Sequence, residues 1–149
     1  MKIAYPSLVV ALIFFVNFSF ADVCQNANPM SASSPYEGAV ICGAGVIQNI
    51  TVSGSLTLNG TTVEDNLSVS GLLQANQATI KDGASINGNA YFIGSTVSGD
   101  INSNGAVYVQ KNTIVRGNIN SSTGQVSVDS SSRVLGKKNS APGHYCPVE

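Results

Sequence analysis

The stretch Thr96-Val97-Ser98-Gly99-Asp100-Ile101-Asn102-Ser103-Asn104-Gly105-Ala106-Val107-Tyr108-Val109 decides how this chain folds. Val97, Ile101, Val107 and Val109 are apolar, and the pairs Ile101/Ser103 and Val107/Val109 are spaced by two. That spacing belongs to a strand, whose alternate side chains share one face. Gly99, Gly105 and the polar residues around them divide the run into three short strands. The pattern repeats on both sides. Units 45–61, 62–78, 79–95, 96–113 and 114–132 have 17, 17, 17, 18 and 19 residues, and Arg133-Val134-Leu135-Gly136 opens a partial sixth. Self-similarity at such a period marks a repeat architecture, in which no unit buries its apolar face alone.

Five apolar columns emerge when the units are stacked. The first is Val46, Val63, Ile80, Val97, Val115 and Val134. The second is Ile50, Leu67, Ala84, Ile101 and Ile119, and the third Val52, Val69, Ile86, Ser103 and Ser121. The fourth is Leu56, Leu73, Ala90, Val107 and Val126, and the fifth Leu58, Ala75, Phe92, Val109 and Val128. In a chain only 43% hydrophobic, Ser103 and Ser121 are the sole polar members across the five full units. A glycine column, Gly54, Gly71, Gly88, Gly105 and Gly124, follows the third. Such a sequence predicts an all-β fold: a single-stranded parallel β-helix, or β-solenoid, of about five to six coils. Recurrent glycine and β-branched columns disfavour helix. Ser103 and Ser121 mark the expected weak point of the interior, unless their hydroxyls bond each other or a turn carbonyl.

Composition bounds the chemistry. Of 149 residues, 7 are basic and 8 acidic, and there is no Trp. No basic patch for nucleic acid is visible. The single histidine, His144, lies in the tail, which argues against histidine catalysis and multi-histidine metal sites. No catalytic, cofactor-binding or metal-ligating residue is assigned. Lys2, the apolar run from Leu8 and the small residues Ser19 and Ala21 read as a signal peptide over 1–21. The run is short for a membrane span, so no stable membrane anchor is expected after cleavage. Val23 before Cys24 is wrong for lipidation. Residues 22–44 then form an N-terminal flank or cap, 45–137 the solenoid and 138–149 a tail. Export to a periplasmic or extracellular, bacterial setting implies oxidising conditions. Three cysteines leave one unpaired after an internal bridge; Cys24 and Cys42 share the N-terminal flank and are the favoured pair, with Cys146 left over.

Outward positions also form ladders. Thr57, Gln74, Tyr91, Tyr108 and Ser127 make one, and Thr51, Ser68, Ser85, Asn102 and Asn120 another. Tyr91 and Tyr108 are read either as a platform for a sugar or partner or as a stabilising cross-strand aromatic pair. No repeated Thr-x-Thr face of the ice-binding kind appears. At the corner after the first column, Asp65 and Asp82 would sit one coil apart, about 5 Å. Two such carboxylates suit retaining glycoside hydrolysis or calcium, but no cleft-building loop flanks them, and a solvated corner is the expectation. Glu64 and Lys81 should stack as a surface pair of little energetic worth. Sequons such as Asn59-Gly60-Thr61 follow from the Asn/Ser/Thr-rich composition.

The run Thr96-Val97-Ser98-Gly99-Asp100-Ile101-Asn102, with Ala106-Val107-Tyr108-Val109, Val115-Arg116-Gly117-Asn118-Ile119, Val126-Ser127-Val128 and Val134-Leu135-Gly136, resembles the bactofilins. The resemblance covers about 45–137. It implies a right-handed β-helix that polymerises end to end without nucleotide. This chain departs from that family in its export signal and its cysteine-bearing flank. Open solenoid ends are exposed sheet edges that must be covered or used. The expectation is an exported, non-enzymatic structural protein that self-associates through its ends, with the cell envelope or a surface polysaccharide as a further partner. The alternative is a carbohydrate- or host-surface-binding, adhesin-like module, and an enzyme on a β-helix is a remote third.

Overall fold

The computed structural model describes residues 23–26 and 36–141. The expected signal peptide, Cys146 and His144 lie outside them. Among the described residues there is no helix, and parallel strands form a β-solenoid. β1 (Cys24–Asn26) and β2 (Tyr36–Cys42) come first. β3 (Gly45–Ile47) and the long β4 (Ile50–Asn59) follow. Each later turn then supplies three short strands. These are β5 (Thr61–Val63), β6 (Leu67–Val69) and β7 (Leu73–Asn76); then β8 (Thr79–Ile80), β9 (Ala84–Ile86) and β10 (Ala90–Ile93). β11 (Thr96–Val97), β12 (Ile101–Ser103) and β13 (Val107–Gln110) precede β14 (Ile114–Val115), β15 (Ile119–Ser121) and β16 (Val126–Val128). β17 (Arg133–Val134) and β18 (Lys138–Asn139) end the stack.

Three faces result. One is a six-stranded sheet in the order β17-β14-β11-β8-β5-β3. The other two share β4, which rounds their common corner without a break, so they run on as one 12-stranded sheet. All pairings between turns are parallel, as only a coil winding in one direction can make them.

The columns from the second to the fifth hold residue for residue. Ile50, Leu67, Ala84, Ile101 and Ile119 pair in succession. So do Leu58, Ala75, Phe92, Val109 and Val128, with Cys42 beneath Leu58. Phe92 is the largest fully buried side chain. Ala75 precedes it in its column and Ala90 stands two residues before it, and these small residues leave room for the ring at close-packed density.

Two expectations about the first coil need correction. Val46 is not in the first column: it pairs with Thr62 and is 55% exposed, while Ile47 pairs with Val63. The corner from Ile47 to Ile50 is one residue shorter than that from Val63 to Leu67, which moves the inward side chain by one. The stack also begins before residue 45. Residues of β2 pair in parallel with β4 from Tyr36↔Val52 to Cys42↔Leu58, so Val40 and Cys42 belong to the interior. At the other end β18 reaches Asn139, past 137.

The serine pair resolves by the turn-carbonyl route. Ser103 Oγ donates to the carbonyls of Gly88 (2.6 Å) and Gly105 (3.1 Å). Ser121 Oγ donates to the Gly105 carbonyl at 2.8 Å and accepts from Gly124 N at 3.1 Å. No buried side-chain polar atom among the described residues lacks a partner.

Candidate functional site

The Tyr91–Tyr108 ladder forms as the register demands. The two residues are paired on β10 and β13, with ring centroids 4.8 Å apart and planes 11° from parallel. Each ring therefore covers one face of the other. The other face of each ring lies toward its next neighbour in the ladder, Gln74 below Tyr91 and Ser127 above Tyr108. A sugar stacks on an aromatic face, so the arrangement fits the stabilising cross-strand pair better than a glycan platform.

The acidic corner is open and solvated. Glu64 and Lys81 pair at 2.8 Å, with half the lysine side chain exposed. Asp100 is held by Asn118, whose backbone N donates to Oδ1 at 2.7 Å and whose side-chain amide donates at 3.2 Å. Asp65 and Asp82 are exposed. Among the described residues no three His, Cys, Asp or Glu side chains converge as a metal site would require.

Polar ladders tie the coils together on the outside. Asn76 Nδ2 donates to Asn59 Oδ1 at 3.0 Å, and Asn104 to Asn87 at 3.1 Å. Asn120 donates to Asn102 at 2.8 Å, and Asn139 to Asn120 at 2.7 Å. A further hydroxyl column, which sequence reading missed, lies buried at the corner after the fifth column. Thr61 Oγ1 donates to the Cys42 and Gly43 carbonyls, at 3.2 and 2.7 Å. Ser95 Oγ donates to the Ala75 carbonyl at 2.8 Å and accepts from Ala78 N at 3.0 Å. Thr113 Oγ1 donates to the Gln110 carbonyl at 2.6 Å and accepts from Ser95 N at 3.1 Å. In the sequence these residues look like loop polar residues; their recurrence at one repeat position, with Ala78 in the turn between Thr61 and Ser95, was the available signal. On the six-stranded face Thr62, Thr79 and Thr96 stack outward, but as a single column.

The two ends differ. At the N-terminal end β1 runs antiparallel along the outer edge of β2, from Cys24↔Cys42 to Asn26↔Val40. Cys24 and Cys42 are joined as a disulfide, and Gly43 N donates to the Val23 carbonyl at 2.7 Å. This cap covers only residues 40–42 of β2. Residues 36–39 and the whole of β3 have no outer strand among the described residues. At the C-terminal end β16, β17 and β18 are the outermost strands. Val126, Val128 and Val134 there are only partly buried, and Leu135 is 59% exposed. The Val126 N–H is met by Ser140 Oγ at 3.2 Å rather than by a strand.

Comparison with known protein families, with curated proteins and with solved structures returns no match.

Proposed function

We propose that the chain is an exported, non-enzymatic structural solenoid that associates through its ends. The observation that carries this reading is the pair of unfinished sheet edges. The strands β16, β17 and β18 at one end, and β3 with residues 36–39 at the other, offer backbone donors and acceptors without an outer strand among the described residues. Such edges template pairing with another chain. The partly buried Val126, Val128 and Val134 add apolar area that a stacked copy would cover. The Cys24–Cys42 disulfide is compatible with an oxidising, exported compartment. Self-association of this kind is also what the bactofilin-like phrases in the repeat imply.

The glycan-binding alternative draws its support from Tyr91 and Tyr108 and is weakened by the mutual covering of their rings. The deciding experiment is the size distribution of the purified, disulfide-bonded protein by light scattering and negative-stain microscopy. Rods or filaments longer than one solenoid are expected. A monomer at every concentration and salt overturns the reading.

A further inference from the structure

The charges of this chain are sorted along the solenoid axis. Glu37, Glu64, Asp65, Asp82 and Asp100 all precede residue 110, where Lys81 is the only described base. Lys111, Arg116, Arg133, Lys137 and Lys138 all follow it, where Asp129 is the only described acid. Formal charge is thus −4 over residues 36–109 and +4 over 110–141, although the described chain as a whole is neutral. Because each turn rises about 4.8 Å, sequence order becomes height. The acidic residues run from the lowest turn up to Asp100 in the middle of the stack, and the basic ones, Lys81 apart, run from Lys111 on that same turn to the top. Along the corner after the first column, Glu64 and Asp65 give way to Lys81 and Asp82, then Asp100, then Arg116, then Lys137. From Glu64 to Lys137 the ladder climbs four turns, roughly 19 Å, about twice the screening length at physiological salt. The two poles are therefore electrostatically distinct surfaces.

Each pole carries one of the unfinished edges. β17, which contains Arg133, is the outer strand of the six-stranded sheet at the basic pole, and β3 is its outer strand at the acidic pole. Lys138 pairs with Ile119, so it occupies the height where the second apolar column would continue, and it is exposed. A lysine on a sheet edge discourages strand pairing, so a strand that pairs here has to answer its charge with an acidic residue. Tyr36 and Glu37, which pair with Val52 and Ser53, lie at the opposite end of the same face and are exposed.

Resting on the end-association reading above, we propose that the association is polar: the basic C-terminal end of one copy meets the acidic N-terminal end of the next. Head-to-tail contact joins opposite charges at every junction. Contact between two like ends brings together either the acidic turns of both copies or the basic turns of both. A head-to-tail contact uses different patches on the two partners, so it leaves one free end of each kind and propagates instead of closing at a dimer.

Salt separates the alternatives by sign. Assembly of the unaltered protein, followed by light scattering, should fall at least ~10-fold in mean mass between ~20 mM and ~500 mM NaCl. Assembly that grows with salt means like ends meet, and it overturns polarity while leaving end association standing. No assembly at any salt overturns both. Two charge-reversed proteins give the second test. One carries Arg133→Glu, Lys137→Glu and Lys138→Glu; the other carries Glu37→Lys, Asp65→Lys and Asp82→Lys. All six side chains are exposed, and circular dichroism checks that both proteins keep the fold. Each alone should stay monomeric, because its two ends now match in sign. Mixed in equal amounts they should assemble, since every junction again joins opposite charges. Assembly of either protein alone, or failure of the mixture when both are folded, overturns the proposal.

Discussion

Gly71 stands directly beside the carbonyl of Gly54 on the turn below, so a Cβ added there would overlap backbone. Gly88 stands in the same relation to Gly71. The glycine column is thus a close-approach requirement at the corner between two faces, and the sequence displays it as a repeat. Gly71→Ala should lower stability by at least ~2 kcal/mol in urea unfolding, because no flexible side chain is there to give way. A change under half of that would remove the steric account. Ser103 makes a smaller contribution: its hydroxyl satisfies turn carbonyls at 2.6 and 3.1 Å. Ser103→Ala is expected to cost about 1 kcal/mol by the same measurement, and a stabilised variant would mean the hydroxyl is merely tolerated. Asp129 anchors the last wide corner, accepting from Lys111 N at 2.8 Å and from Ser131 Oγ at 2.9 Å. These bonds, with one from Ser132 first among them, lower its pKa from 3.8 to about 2. A lowered pKa means the folded state prefers the ionised form. The stabilisation is complete above pH 3.8 and disappears as pH falls through about 2. The difference in thermal midpoint between the wild type and Asp129→Asn should be constant from pH 7 to about 4 and shrink below that. A difference that stays flat down to pH 2 would contradict the assignment.

At the level of the element, no strand here is long enough to be stable alone. β8, β11 and β14 have two residues each, and their order comes from neighbours above and below. A fault in one strand is therefore felt across turns. Val97 and Val107 are fully buried on different faces of the same turn. Val97→Asp or Val107→Asp should cost about 4 kcal/mol or more, since an unpaired carboxylate has no partner inside the column. Far-UV circular dichroism during unfolding would show it, and near-wild-type stability would mean the interior admits water. The corners are elements too. Gly60, Gln77, Gly94 and Lys111 occupy equivalent corners with φ of 67°, 51°, 59° and 54°. The chain turns left-handed at each of these corners, with Asn112 joining Lys111 at a φ of 62°, and glycine supplies the conformation at two of the four.

For the whole molecule the ends matter most. The N-terminal cap is short, and it is held by the β1–β2 ladder together with the Cys24–Cys42 bond, which closes a loop of sequence separation 18. Cys24→Ser should lower stability by about 2–4 kcal/mol in urea unfolding, and it should enlarge the open N-terminal edge and promote assembly at low salt. Unchanged stability would make the disulfide an ornament of the flank, not part of the cap. The interior is continuous from Val40 and Cys42 to Ile119, so unfolding is expected to begin at the C-terminal turn, where Val126, Val128 and Val134 are only partly covered.

Much of this was legible in the residues alone. Period, strand spacing and four of the five apolar columns follow from alternation and repetition, which act locally along a chain and leave their record in it. The pairing of Tyr91 with Tyr108 and the Glu64–Lys81 contact follow once turns are stacked in register. Other features depended on the fold in three dimensions. Val46 and Ile47 are adjacent apolar residues, and only the length of the corner after them decides which points inward. The β2 turn was hidden because Tyr36-Glu37-Gly38-Ala39 breaks the apolar pattern where no strand among the described residues packs outside it. The buried role of Thr61, Ser95 and Thr113 depends on carbonyls some 20 residues away in sequence. The asymmetry of the ends was likewise decided by tertiary structure: sequence places the charges in order, but only stacking turns that order into two opposed surfaces, and only the pairing of β1 with β2 determines which edge is covered.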